Sequence, residues 1–331
     1  MEFVTIKDTD LKASRIALGT WAIGGWMWGG SNEEESIQTI LSAIDRGINV
    51  IDTAPVYGFG RSEEIVGKAI KKYGNRKDLV IATKAGLEWR DGKVFRNSSK
   101  ERIFKEIDES LKRLQTDYID IYQIHWPDDS VPFEETAGTM KQLKEDGKIR
   151  AIGVSNYSTA QMKAFEKVAP INTVQPPYNI FEREMEEEIL PYCLRQGINI
   201  LAYGAICRGL LSGQMSADRK FEGDDLRKID PKFKGGRFKQ YLRAVDALNV
   251  FAEKKYGKQV LHLAIRWILD KTKIGIALWG ARKPEQLEPI NNISGWFLNE
   301  DDFKEIDEII KKNITDPVGP GFMAPPPSKR Q

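Results

Sequence analysis

Polar residues with catalytic potential stand where apolar runs stop: Asp52 after Ile48–Ile51, Lys84 after Leu79–Thr83, His125 after Ile119–Ile124, Ser155 after Ile149–Val154, Gln175 after Ile171–Val174 and Tyr203 after Asn199–Ala202. If these runs are parallel strands, the residues at their C-terminal ends converge on one rim and can share a pocket. Lys84 in such a place costs desolvation energy unless a carboxylate balances it. Asp52 is the natural partner, and a purely structural ion pair is the plain alternative. Tyr57 sits five residues beyond Asp52, on the Gly/Pro-rich stretch Asp52-Thr-Ala-Pro-Val-Tyr57-Gly-Phe-Gly. A phenol near a buried ammonium is expected to have its pKa pulled down from about 10 toward neutrality, which would make it a usable acid. His125 is one of only two histidines. Zinc generally takes three or four N, S or O ligands, so no metal site is expected, and a packed, hydrogen-bonded imidazole competes with a functional one.

These residues need a scaffold in which strands and helices alternate. After a short hairpin over about residues 1–12, Arg15–Leu18 reads as the first strand of such a series, and Ile274–Leu278, ending at Trp279-Gly280, as the eighth. Helices are expected over Glu33–Arg46, Glu63–Lys72, Lys100–Leu114, Phe133–Glu145, Thr159–Lys167, Glu184–Gln196, Tyr241–Lys271 with a break near Gly257, and Asp302–Lys311. The capping boxes Ser31-x-x-Glu34 and Ser98-x-x-Glu101 open the first and third. This alternation predicts a single closed (β/α)8 barrel domain over 1–331 rather than an open, doubly wound sheet. The open sheet also loses ground because Gly19-Thr-Trp-Ala-Ile-Gly24-Gly25 lacks the spacing of a dinucleotide loop. The Gly60-to-Lys68 stretch likewise has the wrong spacing for a phosphate loop. The stretch Gly213–Gly236, within about 213–240, reads as a mobile rim loop too polar to pack as core. Residues from about 314 to 331 read as an extended Pro-rich tail whose Phe322 and Met323 lie against something apolar.

Composition excludes several classes. A 41% hydrophobic, 30% charged chain of 331 residues can bury a large core, while a net charge of +2 argues against a basic nucleic-acid binder. No apolar run reaches membrane-spanning length, and the N-terminal residues lack the apolar core of a signal peptide, so no membrane association is expected. Cys193 and Cys207 form no C-x-x-C pair and point to a reducing compartment. The expected protein is cytoplasmic, monomeric or weakly homo-oligomeric, and acts on a small molecule.

The motifs Gly47-Ile-Asn-Val-Ile-Asp52-Thr-Ala-Pro-Val-Tyr57-Gly, Thr83-Lys84, Asp117-Tyr-Ile-Asp-Ile-Tyr-Gln-Ile-His125-Trp, Ile152-Gly-Val-Ser155-Asn156, Gln175-Pro-Pro-Tyr-Asn179 and Gly280-Ala-Arg282 together resemble those of the aldo-keto reductases, along the whole chain. Ala202-Tyr203-Gly-Ala and Leu278-Trp-Gly-Ala-Arg-Lys283-Pro-Glu-Gln286-Leu look most like the bacterial general-stress and aldehyde-reducing members. The resemblance implies direct hydride transfer from a reduced nicotinamide to a small carbonyl compound, with Tyr57 protonating the oxygen. Lys84 would depress the phenol pKa, Asp52 would hold Lys84, and His125 would orient the carbonyl. Ser155, Asn156 and Gln175 would bind the nicotinamide carboxamide, with Tyr203 stacked on the ring.

Without a Rossmann loop the phosphates fall to the late barrel loops. There Arg208-Gly-Leu-Leu-Ser212, after the seventh strand, can offer a guanidinium and backbone N–H groups to the pyrophosphate, with Gly280 and Gln286 expected in the same cofactor site. Arg282 and Lys283 are expected on a 2′-phosphate, hence NADPH over NADH. An ordinary solvated charge is the competing reading of Lys283. Two positions depart from the family pattern: Ile290 stands where an adenine-contacting asparagine is common, and Gly321 where the nearest relatives carry an acid.

Trp21, Trp28, Phe59, Trp89 and Trp126 fall on the loops after the first four barrel strands and predict an apolar, broadly specific carbonyl pocket, although core packing is the commoner fate of each. The competing functions are a cofactor-binding regulatory subunit of the same fold, and a sugar or polyol dehydrogenase or redox-neutral isomerase using bound cofactor.

Overall fold

The computed structural model describes residues 1–326; the last five residues of the expected tail lie outside the described residues. In chain order the elements are β1 (Phe3–Thr5), β2 (Lys12–Ser14), β3 (Ile16–Gly19), α1 (Trp21–Gly24), α2 (Glu33–Asp45), β4 (Val50–Asp52), α3 (Arg61–Tyr73), β5 (Val80–Ala85), β6 (Leu87–Arg90), β7 (Lys93–Arg96) and α4 (Lys100–Leu114). They continue with β8 (Ile119–Ile124), α5 (Phe133–Glu145), β9 (Ile149–Ser155), α6 (Thr159–Glu166), β10 (Thr173–Gln175), α7 (Ile189–Gln196), β11 (Asn199–Ala202), α8 (Gly235–Tyr256), α9 (Val260–Thr272), β12 (Ile276–Gly280) and α10 (Glu300–Asn313). Strands β3, β4, β5, β8, β9, β10, β11 and β12 pair in that order, all parallel, and β12 closes on β3. This is a (β/α)8 barrel. Among the described residues no helix is long and apolar enough to cross a membrane.

Side chains alternate across each strand, and the alternation decides which residues see the barrel interior. Ala17, Val50, Val80, Ala82, Ile121, Ala151, Leu201, Ile276 and Leu278 fill it, and Ile6, Leu11 and Ala13 of the β1–β2 hairpin pack against them. That hairpin spans Phe3–Ser14, slightly beyond the expected 1–12. On the same parity, two residues beyond Val50, Ala82 and Ile121, stand Asp52, Lys84 and Gln123, and four beyond Ala151, past Gly153, stands Ser155. The alternate parity faces the helices, where Ile51, Ile81, Tyr122, Ile152, Val154 and Val174 join the outer core.

Several helix starts correct the sequence reading. The cap of α2 is Asn32, whose side chain accepts from Glu35 N at 2.9 Å, rather than Ser31. The cap of α4 is Ser99, bonded to Arg102 N, rather than Ser98. In both places adjacent polar residues offered two registers, and burial of Ile40 and Ala43, or of Ile103, Ile107 and Leu114, selects one. The expected helix Glu184–Gln196 is a separate short turn at Glu184–Glu186 followed by α7. Pro191 is tolerated in the first turn of α7 but would remove a hydrogen bond from a longer helix. Helix α8 starts six residues before the expected Tyr241 and ends at Gly257, whose φ of 63° is left-handed.

The rim segment is not uniformly polar surface, which corrects the expectation that it cannot pack. Leu226 and Phe233 are buried, together with Asp225, Arg227, Asp230 and Lys232. These charges are tolerated inside because each is ion-paired. The segment ends at Lys234, since α8 begins at Gly235.

One close backbone approach sets the loop that carries Tyr57. A Cβ on Gly24, in α1, would lie 2.6 Å from the carbonyl carbon and oxygen of Tyr57. Replacing Gly24 by Ala should therefore destabilise the protein by about 1–3 kcal/mol through overpacking. Urea denaturation would measure it, and an unchanged midpoint would show that the two loops are not locked together.

Candidate active site

Lys84 Nζ is fully buried and donates to both carboxylate oxygens of Asp52 and to the Thr53 carbonyl, each at 2.9 Å. Asp52 also accepts from Gln175 Nε2 at 2.8 Å and from Gln123 Nε2 at 3.4 Å. Gln123 fits because position 153 is glycine: a Cβ there would meet Gln123 Cγ at 2.6 Å and Thr173 Oγ1 at 2.4 Å. One residue back on β5, Thr83 faces outward and donates to Glu63 at 2.6 Å, which Arg113 neutralises. The ion pair expected between Asp52 and Lys84 is present, inside a hydrogen-bonded polar layer.

Tyr57 lies above this layer, its ring 4.9 Å from Lys84 Nζ, stacked on Trp21 and edge-on to His125 at 5.8 Å between ring centroids. Burial, and secondly the Asp52 carboxylate, push its phenol pKa well above the ordinary value. This corrects the expectation of a phenol pulled toward neutrality: Asp52 answers the ammonium charge, so desolvation prevails. Burial and then Lys84 drive the His125 pKa well below the usual imidazole range. The site therefore presents a protonated phenol beside a neutral imidazole.

A second group of hydrogen bonds extends along β9 to β11. Ser155 Oγ donates to the Gln175 carbonyl at 2.8 Å, Asn156 Nδ2 donates to Ser155 Oγ and to the His125 carbonyl at 3.0 Å, and Tyr203 OH donates to Asn156 Oδ1 at 2.9 Å. Asn156 has a left-handed φ of 62°, which asparagine tolerates better than most residues.

Two clefts meet at Trp21, Tyr57, Tyr203 and Met323. The first, about 300 Å³, has His125, Ser155, Asn156 and Gln175 at its barrel end and apolar walls from Trp26, Val56, Leu87, Val94 and Trp126. The tail completes it with Phe322, Met323, Pro325 and Pro326, so the expected apolar contact of Phe322 and Met323 is this cleft. The second, about 190 Å³, runs from Asp52 past Gly19, Gly204, Gly209, Gly280 and Ala281 to Arg227, Arg282 and Gln286.

Several expected site residues need correction. Arg208 reaches the second cleft, but its guanidinium is committed to Glu182 and, at 2.7 Å, to Asp230. Ser212 lines neither cleft and turns back to the Gly209 carbonyl at 2.6 Å. Lys283 is also outside and pairs with Glu35 at 3.3 Å, the solvated alternative. Gln286 is present, but its Oε1 accepts from Arg282 N at 2.8 Å and holds the loop. Trp28 lines the second cleft instead of the first. Phe59 and Trp89 line neither; Phe59 packs on Trp26 at 5.0 Å and on Trp89 at 5.6 Å, so Trp26 is the wall.

The second cleft suits a long, anionic, planar-headed ligand. Its glycine and alanine floor leaves room for close approach. The buried indole N–H groups of Trp21 and Trp28 have no partner among the described residues, as expected of donors awaiting a ligand. Arg282 donates to the Trp28 carbonyl at 2.9 Å and has no carboxylate within 4.0 Å among the described residues, whereas Arg227 is held in a fork by Asp225. Sequence reasoning missed Arg227, Trp26 and Gln123. Only Gln123 carried a signal, its period-2 place in β8.

Residues 15–311 match the model of the aldo/keto reductase family, and the chain belongs to that family. It is an NAD(P)H-dependent oxidoreductase. It is 60% identical over 326 residues, 98% of each chain, to the aldo-keto reductase YhdN of Bacillus subtilis (strain 168). It is 36% identical over 316 residues, 90% of this chain and 94% of the other, to the NADH-specific methylglyoxal reductase of Escherichia coli (strain K12). Among solved structures, the glycerol dehydrogenase of Gluconobacter oxydans superposes with a TM-score of 0.88 at 50% identity, covering 97% of this chain and 99% of that one.

The charge states are open to measurement. Because burial and Lys84 both disfavour the imidazolium, an NMR titration should find His125 neutral throughout the range in which a free imidazole, with a pKa of about 6.5, titrates. The His125→Gln variant assigns the signal, and a midpoint at or above 6.5 would contradict this electrostatic account.

Proposed function

We propose that the protein reduces small, largely apolar aldehydes and dicarbonyls to alcohols with NADPH, Tyr57 acting as the proton donor. The observation that carries this reading is the place of Tyr57, a protonated phenol at the junction of an apolar cleft and a cation-ended one. The second cleft would hold the phosphates and adenosine of the reduced cofactor, and its nicotinamide, reaching the junction of the two clefts, would supply the hydride to the carbonyl carbon. A carbonyl compound in the first cleft directs its oxygen to the barrel end, where the polar groups are. Neutral His125 can donate one hydrogen bond to that oxygen and orient it, and Tyr57 delivers its proton there as negative charge develops. Lys84 stabilises the resulting phenolate, and Asp52 keeps the ammonium in place. Ser155, Asn156 and Gln175, at the barrel end of the first cleft, would position the carboxamide, and Tyr203, at the junction, would provide a ring for stacking.

Arg282 supports NADPH, since a guanidinium without a carboxylate within 4.0 Å among the described residues suits a 2′-phosphate. Arg227, in the same cleft, is balanced by Asp225, which leaves Arg282 as the guanidinium available to the phosphate. Two buried, unpaired cysteines are compatible with a cytoplasmic location. Polyol oxidation by the same residues in reverse is a second reading, favoured by the likeness to a glycerol dehydrogenase. The apolar walls weigh against it, because a polyol needs a hydrogen-bond partner for each hydroxyl.

Tyr57→Phe should keep cofactor affinity and lose roughly 10²–10⁴-fold in turnover. Near wild-type reduction of the best aldehyde would remove Tyr57 from its role. Arg282→Ala should weaken NADPH by about tenfold and leave NADH little changed. Titration of both cofactors by tryptophan fluorescence decides this, since equal losses would mean that Arg282 does not read the phosphate. A polyol with oxidised cofactor, assayed against methylglyoxal with NADPH, separates the two directions of use.

A further inference from the structure

Four charged side chains outside the reacting centre are buried together. Lys232 and Asp230 have no exposure, Glu182 has 2% and Arg208 6%. Arg208 bridges Glu182 and Asp230. Lys232 Nζ lies 2.7 Å from Glu182 Oε1 and 3.9 Å from Asp230 Oδ1. Two cations and two carboxylates leave the cluster neutral, the condition under which buried charge is tolerated. Asn179 Nδ2 joins it to the backbone beside Tyr203, donating to Glu182 at 2.7 Å and to the Gly204 carbonyl at 3.0 Å.

The cluster also reaches the tail, at two points. Lys232 Nζ donates to the Gly319 carbonyl in the tail at 3.3 Å, three residues before Phe322, and the Arg208 guanidinium lies 5.5 Å from the Phe322 ring. Phe322 and Met323 are part of the outer wall of the first cleft. The tail is also held before this point by a Thr315 N–H bond to Gln240 Oε1 at 2.9 Å, by Arg237 at Asp316, and by a Val318 N–H bond to Tyr241 OH at 3.2 Å, and beyond it by Arg96 Nε donating to the Pro325 carbonyl at 3.2 Å. The Arg237–Asp316 pair is solvated and contributes little, and of the charged donors that hold this stretch Lys232 is the one with no exposure.

We propose that Lys232 is a positioning residue for the carbonyl cleft: through Gly319 it seats the tail so that Phe322 and Met323 form the wall against which the substrate packs. The proposal rests on the reading of the first cleft as the carbonyl site. It implies that binding of the aldehyde's apolar end depends on a lysine that touches neither substrate nor cofactor.

The test uses the full chain with Lys232→Met and with the charge-balanced double variant Glu182→Gln/Lys232→Met, which keeps the falsification open if the single variant does not fold. Hydrogen exchange should speed up by about tenfold at the amides from Val318 to Met323 while the barrel strands keep their protection. KM for a bulky apolar aldehyde should rise with kcat and NADPH affinity close to wild type. In a Phe322→Ala background the Lys232 effect on KM should vanish, because both changes remove the same wall. Unchanged tail protection in a folded variant overturns the proposal. So does a Phe322→Ala effect on KM that Lys232→Met does not share. If Phe322→Ala itself leaves KM unchanged while the tail loosens in Lys232→Met, the assignment of the cleft is what fails.

Discussion

Lys84 and Asp52 bring two unit charges into the top of a barrel with almost no access to water. Each alone would cost several kcal/mol to desolvate. Together they are neutral and nearly saturated with hydrogen bonds, and the surrounding structure exists to keep them so. Lys84 reaches Asp52 because both lie on the inward parity of adjacent strands. The spare lone pairs of Asp52 are taken by Gln175 and Gln123, and Gly153 makes the room that Gln123 occupies. The neutral pair then sets the conditions around it. Tyr57 feels desolvation more than the ammonium and stays protonated, and His125 feels desolvation and the ammonium in the same direction and stays neutral. A protonated phenol and a neutral imidazole thus share a site without any group taking on an uncompensated charge.

The periodic parts of this arrangement were legible in the sequence. Every barrel strand ends within two residues of the place its apolar run predicts, because a residue in a closed barrel must face either the interior or the helices and cannot drift. The chemistry at those ends was legible for the same reason: a lysine and an aspartate terminating neighbouring strands have little choice but to meet. The direction of the Tyr57 shift was not legible. It depends on the balance between two terms of opposite sign, the ammonium and the loss of water, and sequence fixes neither distance nor burial.

The loops resisted reading because their partners are remote. Arg208 carries a guanidinium suited to phosphate, but Glu182, 26 residues earlier, already occupies it. Arg227 looks like one more charge in a polar segment, yet Leu226 and Phe233 anchor that segment and turn it over the second cleft. Trp26, Phe59 and Trp89 are equivalent by composition, and only their stacking order decides which one faces the cleft. The same limit applies to helix starts, where neighbouring Ser31 and Asn32, or Ser98 and Ser99, offer caps of similar quality and tertiary burial decides between them.

The division between barrel and loops has a functional consequence. Polar groups in the first cleft are gathered at the strand ends, and the remaining wall is built of tryptophan, leucine, valine and tail residues that present mainly apolar surface. On the proposed reading of this cleft, a carbonyl compound would satisfy its oxygen only at the barrel end, so the barrel would fix where the reaction occurs whatever lies behind the carbonyl. Behind it the wall discriminates weakly, since a methylene in an apolar pocket is worth only about 1–3 kcal/mol. A hydroxyl is different, because burying it without a partner costs a comparable amount for each group. If the proposed reading holds, selectivity grows with the number of unsatisfied hydroxyls more than with the length of the chain, which would set polyhydroxylated carbonyl compounds at a disadvantage to alkyl and aryl ones.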